Sequence, residues 1–295
     1  MIKADHSMTL IIAEAHPDIA FMVGDTLLSH ENFQLRDDIG PVGGEFHALK
    51  IQILNGCTVV AFAGEYEPAM ERVRALDAAL RVSETVDPAA WMSNQGPVDT
   101  CDFLLLTKKD RKKLYSFIGG NFQECQRAWI GDLSEYKCYL GYRKQYNGPA
   151  TRIIANKDGS TSTFEVTPGE REFDIVSDAM ELTTWDNVGK KYATVGAISG
   201  AIIRVIDARI SGDFEYLQSV EVAHFPWEPL SGYTLLASNE DRRGIGVYFR
   251  SGNRGFILPV CAESACVPVS ALTLNSFIEV ARDSLAMNLE GGTWA

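Results

Sequence analysis

Four residues in the first quarter of the chain carry the chemistry: Thr9, Asp25, Lys50 and Gly64. A threonine hydroxyl is a weak nucleophile because its proton is hard to remove. One remedy uses the threonine's own α-amino group as the base, since that amine titrates at about 7.7–8.0. A neighbouring lysine ammonium lowers the pKa of both amine and hydroxyl. An aspartate then holds the lysine in place and neutralises it. A backbone N–H at a strand-end glycine stabilises the oxyanion that develops on the attacked carbonyl. Thr9, Lys50, Asp25 and Gly64 fill these roles in that order. Taken singly, each is an ordinary residue of a strand or turn.

The surrounding pattern reads as paired strands. Thr9–Ala13 and Ile19–Asp25 are apolar and β-branched around a turn at His16-Pro17-Asp18. Lys50–Leu54 and Thr58–Ala63 form a second hairpin, for which Asn55-Gly56 predicts a type I′ turn. Glu67–Val82 reads as an amphipathic helix with Met70, Val73, Leu76 and Leu80 on one face. Pro88 and Pro97 break Ser83–Thr100 into a connector with at most one helical turn. Asp102–Thr107 and Lys113–Ile118 form a hairpin around a basic, solvated turn at Lys108–Lys112. Arg127–Asp132 leads into a helix over Leu133–Tyr146. A surface hairpin within Asn147–Thr167, a helix over Glu170–Thr183 and a strand within Ala193–Ile206 follow. Tyr233–Ser238, Gly244–Arg250 and Gly255–Val260 read as three strands, and Ala271–Asn288 as a final helix.

In its spacings the first part resembles the proteasome β-subunit family, including the bacterial proteasome-like peptidases, among the N-terminal nucleophile hydrolases. Asp25 follows Thr9 by sixteen residues and Lys50 precedes Gly64 by fourteen, as in that family. Ala61-Phe62-Ala63-Gly64 is similar to the family's strand end at the oxyanion site. The resemblance implies a four-layer αββα sandwich of two antiparallel sheets, an α+β fold. It implies substrate contacts at Ser29, which would face the substrate backbone, and at Phe62, the base of the primary pocket. A bulky floor there favours small side chains. Asp132 stands where the family has a serine that helps to position the nucleophile, a departure from the pattern; from just behind the nucleophile its carboxylate could accept a hydrogen bond from the α-amine, or raise that amine's pKa and blunt it as a base. The loop 30–46 is about nine residues longer than the family's, by the same spacings.

Residues 1–8 precede Thr9, so the amine base requires either translation from Met8 with the methionine removed, or a short pro-segment that cleaves itself off. The expected organisation is a possible pro-segment at 1–8, a proteasome-like core at 9–210 and a C-terminal extension at 211–295 packed on it. Three functions are compatible: a threonine-type peptidase or amidase, a non-catalytic subunit acting in assembly or scaffolding, and a small-molecule amidohydrolase of the same superfamily. The family assembles into rings, so a homo-oligomer is implied, with a peptide or acyl-amide substrate.

The net charge of −12 argues against a nucleic-acid partner. No apolar run reaches the roughly 18–20 residues of a membrane helix, and the N-terminus lacks the apolar core of a secretion signal; a cytoplasmic protein is expected. His6, His16, His30, His47 and His224 lack ligand spacing, and the six scattered cysteines read as packed, reduced thiols. No metal or other cofactor is expected.

Overall fold

A computed structural model describes residues 9–26, 47–155, 160–187, 202–207, 212–217, 220–221, 233–238, 244–249 and 253–290. Residues 1–8, Ser29 and the long loop 30–46 lie outside the described residues. In chain order the elements begin with β1 (Leu10–Ala15), β2 (Ala20–Asp25), β3 (Ile51–Asn55), β4 (Thr58–Gly64), α1 (Tyr66–Val82) and α2 (Pro88–Asn94). There follow β5 (Cys101–Thr107), β6 (Lys113–Ile118), β7 (Asn121–Cys125), β8 (Arg127–Gly131) and α3 (Leu133–Arg143). The hairpin β9 (Thr151–Ala155) and β10 (Thr161–Glu165) leads to α4 (Pro168–Asn187), β11 (Ile202–Asp207) and β12 (Phe214–Tyr216). The chain closes with β13 (Val220–Glu221), β14 (Tyr233–Ser238), β15 (Gly244–Phe249), β16 (Arg254–Pro259), β17 (Val267–Ser270) and α5 (Leu274–Leu285).

The class is α+β, and the sheets are antiparallel throughout. One five-stranded sheet runs β12-β11-β2-β1-β8, a second β3-β4-β5-β6-β7 and a third β13-β14-β15-β16-β17. Among the described residues, β9 and β10 pair only with each other.

Both faces of the first two sheets are covered, which explains why β1, β2 and β4 read as unbroken apolar runs. Ile11, Ala13 and Met22 turn toward Val59, Ala61 and Leu104 of the second sheet. Leu10, Ile12, Phe21 and Val23 turn the other way, onto Tyr139 of α3 and Phe173, Val176 and Met180 of α4. Val60, Phe62, Phe103 and Leu105 pack on Met70, Val73 and Leu76 of α1 and Met92 of α2. Each such side chain contributes about 1.5–3 kcal/mol by leaving water. Ile245, Val247, Phe256 and Leu258 of the third sheet join the core between the first two. On its other face this sheet buries Tyr248 and Ile257 against Phe277 and Ala281 of α5.

The outer edge of β3 is sealed by a side chain. The Tyr216 hydroxyl of β12 donates to Ile51 O (2.9 Å) and accepts from Ile53 N (3.1 Å). One phenol thus occupies backbone groups that would otherwise template further strand pairing.

Several elements differ from the sequence expectation. The β3–β4 hairpin exists, but its turn is not type I′: Gly56 is not in the left-handed region that this turn demands. Asn55 instead stays paired with Thr58, and its side chain accepts from Cys57 N (2.9 Å). Gly56 packs on Asp213, which a Cβ at that position would meet at 2.2 Å. The connector after α1 holds a seven-residue helix rather than at most one turn. Pro88 stands in the first turn, where a missing N–H costs nothing, and Asp87 caps Ala89 and Ala90. α4 begins at Pro168 behind a reciprocal cap, with Glu170 N donating to Thr167 Oγ1 and Thr167 N to Glu170 Oε2. The described strand β11 starts at Ile202, and 188–201, including Ser199 and Gly200, lie outside the described residues.

Candidate active site

Thr9 immediately precedes β1, and both sides of its peptide link to Leu10 are held. Leu10 N donates to Asp25 Oδ1 (3.0 Å). Asp132 N donates to Thr9 O (2.6 Å). Asp25, the last residue of β2, lies opposite Leu10 because the β1–β2 register pairs Ile11 with Gly24. Its second oxygen, Oδ2, accepts from Lys50 Nζ at 2.8 Å. The sixteen-residue spacing to Asp25 is therefore the length of a hairpin that brings its far end back to Thr9.

The site is closed to solvent: Thr9 is 5% exposed, Asp25 0% and Lys50 2%. Burial pulls the Lys50 ammonium below the usual lysine range, and the Asp25 carboxylate only partly offsets this. A lysine so placed is a better proton donor than one in water.

Gly64 ends β4 beside the lysine strand. Phe62 N donates to Lys50 O (3.2 Å), and strand alternation sends the N–H of Gly64, two residues on, out of the same edge. Gly64 has φ +115°, and a Cβ there would stand 2.0 Å from Thr100 O. Gly131, which ends β8, has φ +116°, and a Cβ would stand 1.7 Å from Thr9 O. Only glycine allows the backbone of β8 to approach Thr9 this closely.

Three of the remaining expectations have different outcomes. Phe62 is buried under α1 with its ring 6.0 Å from that of Tyr66. Ser29 lies outside the described residues. Asp132 adjoins Thr9 through its backbone, but its carboxylate turns to α3. Its Oδ1 accepts from Ser134 N (2.7 Å), Ser134 Oγ (2.6 Å) and Glu135 N (3.1 Å). That carboxylate is a helix N-cap, satisfying orphan N–H groups of the first turn of α3.

His47 belongs to the site, although nothing in its spacing singled it out. Its Nδ1 lies 2.8 Å from Thr26 Oγ1, and Ala48 N donates to Thr26 O (2.8 Å). The ring stacks on Phe256 of β16, centroids 4.7 Å apart and planes 10° from parallel. Its Nε2 has no partner among the described residues. Burial, with the Lys50 charge second, depresses its pKa to about 3, so the imidazole is neutral at ordinary pH. His47 and Thr26 thus flank the Asp25–Lys50 pair in sequence and seat it against the third sheet.

Among the described residues no group of His, Cys, Asp and Glu side chains is arranged to hold a metal ion. Among them, too, no helix is long and apolar enough to cross a membrane. No protein-family profile matches the chain, and no curated protein matches it.

Proposed function

We propose that the chain is a threonine-type amidase of the N-terminal nucleophile hydrolase kind, with Thr9 as nucleophile once it is the first residue. The helix pair α3–α4, the first sheet, the second sheet and the pair α1–α2 would then be the four layers of an αββα sandwich. The observation that carries the reading is the buried Asp25–Lys50 pair, fixed on the peptide that follows Thr9. A buried ion pair is a poor way to stabilise a fold, since apolar residues of the same volume serve as well or better. Its presence beside a threonine therefore supports a chemical role over a purely structural one.

In the proposed step the free α-amine takes the Thr9 hydroxyl proton as Oγ bonds to the carbonyl carbon of an amide. The oxyanion is met by Gly64 N–H. Collapse breaks the C–N bond, the leaving amine takes the proton, and water later hydrolyses the ester. Lys50, held by Asp25, supplies positive charge that favours the ionised hydroxyl. Asp25 anchors the Thr9–Leu10 peptide as well, so that one carboxylate fixes both charge and nucleophile.

The packing of the third sheet favours a small acyl amide over a polypeptide. Phe256 lies on His47, and Cys261 N donates to Gln52 Oε1 on β3 (2.8 Å). This packing stands beside the lysine strand and would suit an individual site better than an open protease chamber. By the same resemblance the chain is proposed to self-associate.

The test is the intact mass and N-terminal sequence of the purified native protein, followed by a covalent threonine probe. A chain that starts at Thr9 and labels, with labelling lost in Thr9→Ala, is the expected result. A chain that keeps residues 1–8 stably in its assembled state lacks the amine base. The hydrolase reading then falls to a non-catalytic role in assembly.

A further inference from the structure

We propose that the end of the first two sheets opposite Thr9 holds a binding site for a multiply charged phosphate compound, gripped by Arg111 and Lys113 from the connection between β5 and β6. The site stands independently of the amidase reading. β1 carries the chain away from Thr9 over six residues, about 20 Å of extended strand, and the cavity lies at its far end, beside Ala15. This cavity of about 700 Å³ is lined by Lys108, Arg111, Lys112 and Lys113 and is of a size to take a small ligand.

In the sequence Lys108–Lys112 reads as a basic, solvated turn, yet two of its lysines are built into the fold. Lys108, only 7% exposed, donates to Asp207 Oδ1 (2.9 Å) and to Gly212 O, and its Nζ lies 4.8 Å from the centre of the Phe214 ring. Lys112 Nζ meets Asp207 Oδ2 (2.9 Å) and donates to Asp18 O (2.7 Å). Together they fasten the turn to the end of β11 and to the β1–β2 turn, which gives the cavity a fixed floor.

Arg111 and Lys113 are placed differently. Both lean on one carboxylate, Glu124 of β7, at 3.3 and 3.5 Å, and Arg111 is 69% exposed. One carboxylate cannot occupy the five N–H donors of a guanidinium and the three of an ammonium. The four cations of the cavity face three carboxylates, Asp110, Glu124 and Asp207. Asp207 is taken by the two floor lysines, and His16 turns its Nε2 to Glu14 (2.9 Å). The balance is positive, in a chain whose net charge is −12. Such a concave surface concentrates anions, and guanidinium and ammonium together suit phosphate oxygens. A bound anion must displace Glu124 from both cations. A single carboxylate only equals what it replaces, whereas linked phosphates bring several charges at once.

The test is isothermal titration calorimetry of the full-length protein with tripolyphosphate, adenosine triphosphate and citrate, all at one ionic strength. The same titrations are made on the double variant Arg111→Gln/Lys113→Gln. Saturable binding of tripolyphosphate is expected, with each lost cation weakening it about tenfold, the worth of one charge-assisted hydrogen bond. Citrate should bind at least about tenfold more weakly than tripolyphosphate. Adenosine triphosphate bound no more tightly than tripolyphosphate upholds the proposal and assigns the site to phosphate groups alone. Tighter binding of the nucleotide upholds it and gives the rest of the cavity to the nucleoside. Absence of binding, a double variant within about tenfold of the parent, or citrate within about tenfold of tripolyphosphate overturns it. If the double variant does not fold, Arg111→Gln takes its place, since among the described residues that guanidinium is bonded only to Glu124. A loss of less than about threefold in this single variant then overturns the proposal.

Discussion

The molecule makes the same strand-to-helix step twice, and only one of the two carries buried charge. At the first, β8 ends in Gly131 with φ +116°, Asp132 follows in extended conformation, and α3 begins. At the second, β4 ends in Gly64 with φ +115°, Glu65 follows in the same conformation, and α1 begins. Each glycine lets its strand approach the carbonyl of a threonine that precedes a neighbouring strand, Thr9 before β1 and Thr100 before β5. Each acidic residue donates its N–H to that carbonyl, Asp132 to Thr9 at 2.6 Å and Glu65 to Thr100 at 3.4 Å. Beyond the backbone the two part ways. Thr9 is buried on the Asp25–Lys50 pair, whereas Thr100 is exposed. The step is therefore a device of the fold, and the ion pair is what distinguishes one copy of it.

The largest expected effect comes from breaking what only the Thr9 step has. Asp25→Ala strips Lys50 of its partner in a solvent-free site and leaves Leu10 N without its carboxylate acceptor. Removing one member of a buried pair costs about 3–5 kcal/mol. Adding Lys50→Met removes the stranded charge, and the double variant should regain more than half of the loss in urea unfolding. A single-variant loss under about 1 kcal/mol would show that the pair is not buried in solution, and the contrast between the two steps would disappear.

The next effect should be equal at both steps. Gly131→Ala and Gly64→Ala each drive a Cβ into a rigid carbonyl oxygen at a positive φ that alanine does not tolerate. Each should cost at least about 2 kcal/mol in the same unfolding experiment. A loss confined to Gly131 would mean that the likeness of the two steps is superficial.

The third prediction concerns pH and sharpens the difference again. His47 is packed against Thr26, Lys50 and Phe256, and its pKa falls from the usual 6.5 to about 3. The unfolded chain binds a proton below 6.5 that the folded chain refuses. Stability from this group is fully present above 6.5 and is lost as pH falls toward 3. The slope approaches about 1.4 kcal/mol per pH unit within that window. His47→Gln should remove that part of the pH dependence between 6.5 and 5. An unchanged slope would place the histidine in contact with water.

How much of this was legible in the sequence depended on whether the signal was local. The hairpins around Thr9, Asp25, Lys50 and Gly64 were, because apolar runs and turn residues mark strands within a few positions. So were α1, α4 and the final helix, and the three strands β14, β15 and β16. The strand β7 was not: Asn121–Cys125 is a largely exposed edge with no buried face to leave a pattern. Nor was the length of α2, where a proline read as a breaker acts as a starter. Gly56 misled because the hairpin turn answers to Asp213, a distant residue that turn rules do not see. His47 could not be found from spacing, since Phe256 reaches it from the far end of the chain. Asp132 adjoins Thr9 through its backbone, but the capping role of its carboxylate was not legible, because backbone adjacency does not fix where a side chain points.

That carboxylate supplies the smallest prediction and the last difference between the two steps. Asp132 Oδ1 caps α3 through Ser134 and Glu135, whereas Glu65 makes no side-chain cap on α1. Replacing a capping aspartate by alanine costs about 1 kcal/mol. Asp132→Ala should therefore lower stability by about that amount, and Glu65→Ala by less than about 0.5 kcal/mol. The pair of variants also separates the cap from the chemistry. If Asp132 serves only the helix, Asp132→Ala slows labelling of Thr9 by a covalent probe no more than the lost stability explains. A slowing of about a hundredfold or more at full folding would return the carboxylate to the nucleophile, as the sequence first suggested. The Gly131 step would then differ from the Gly64 step in its catalytic groups as well as in its buried charge.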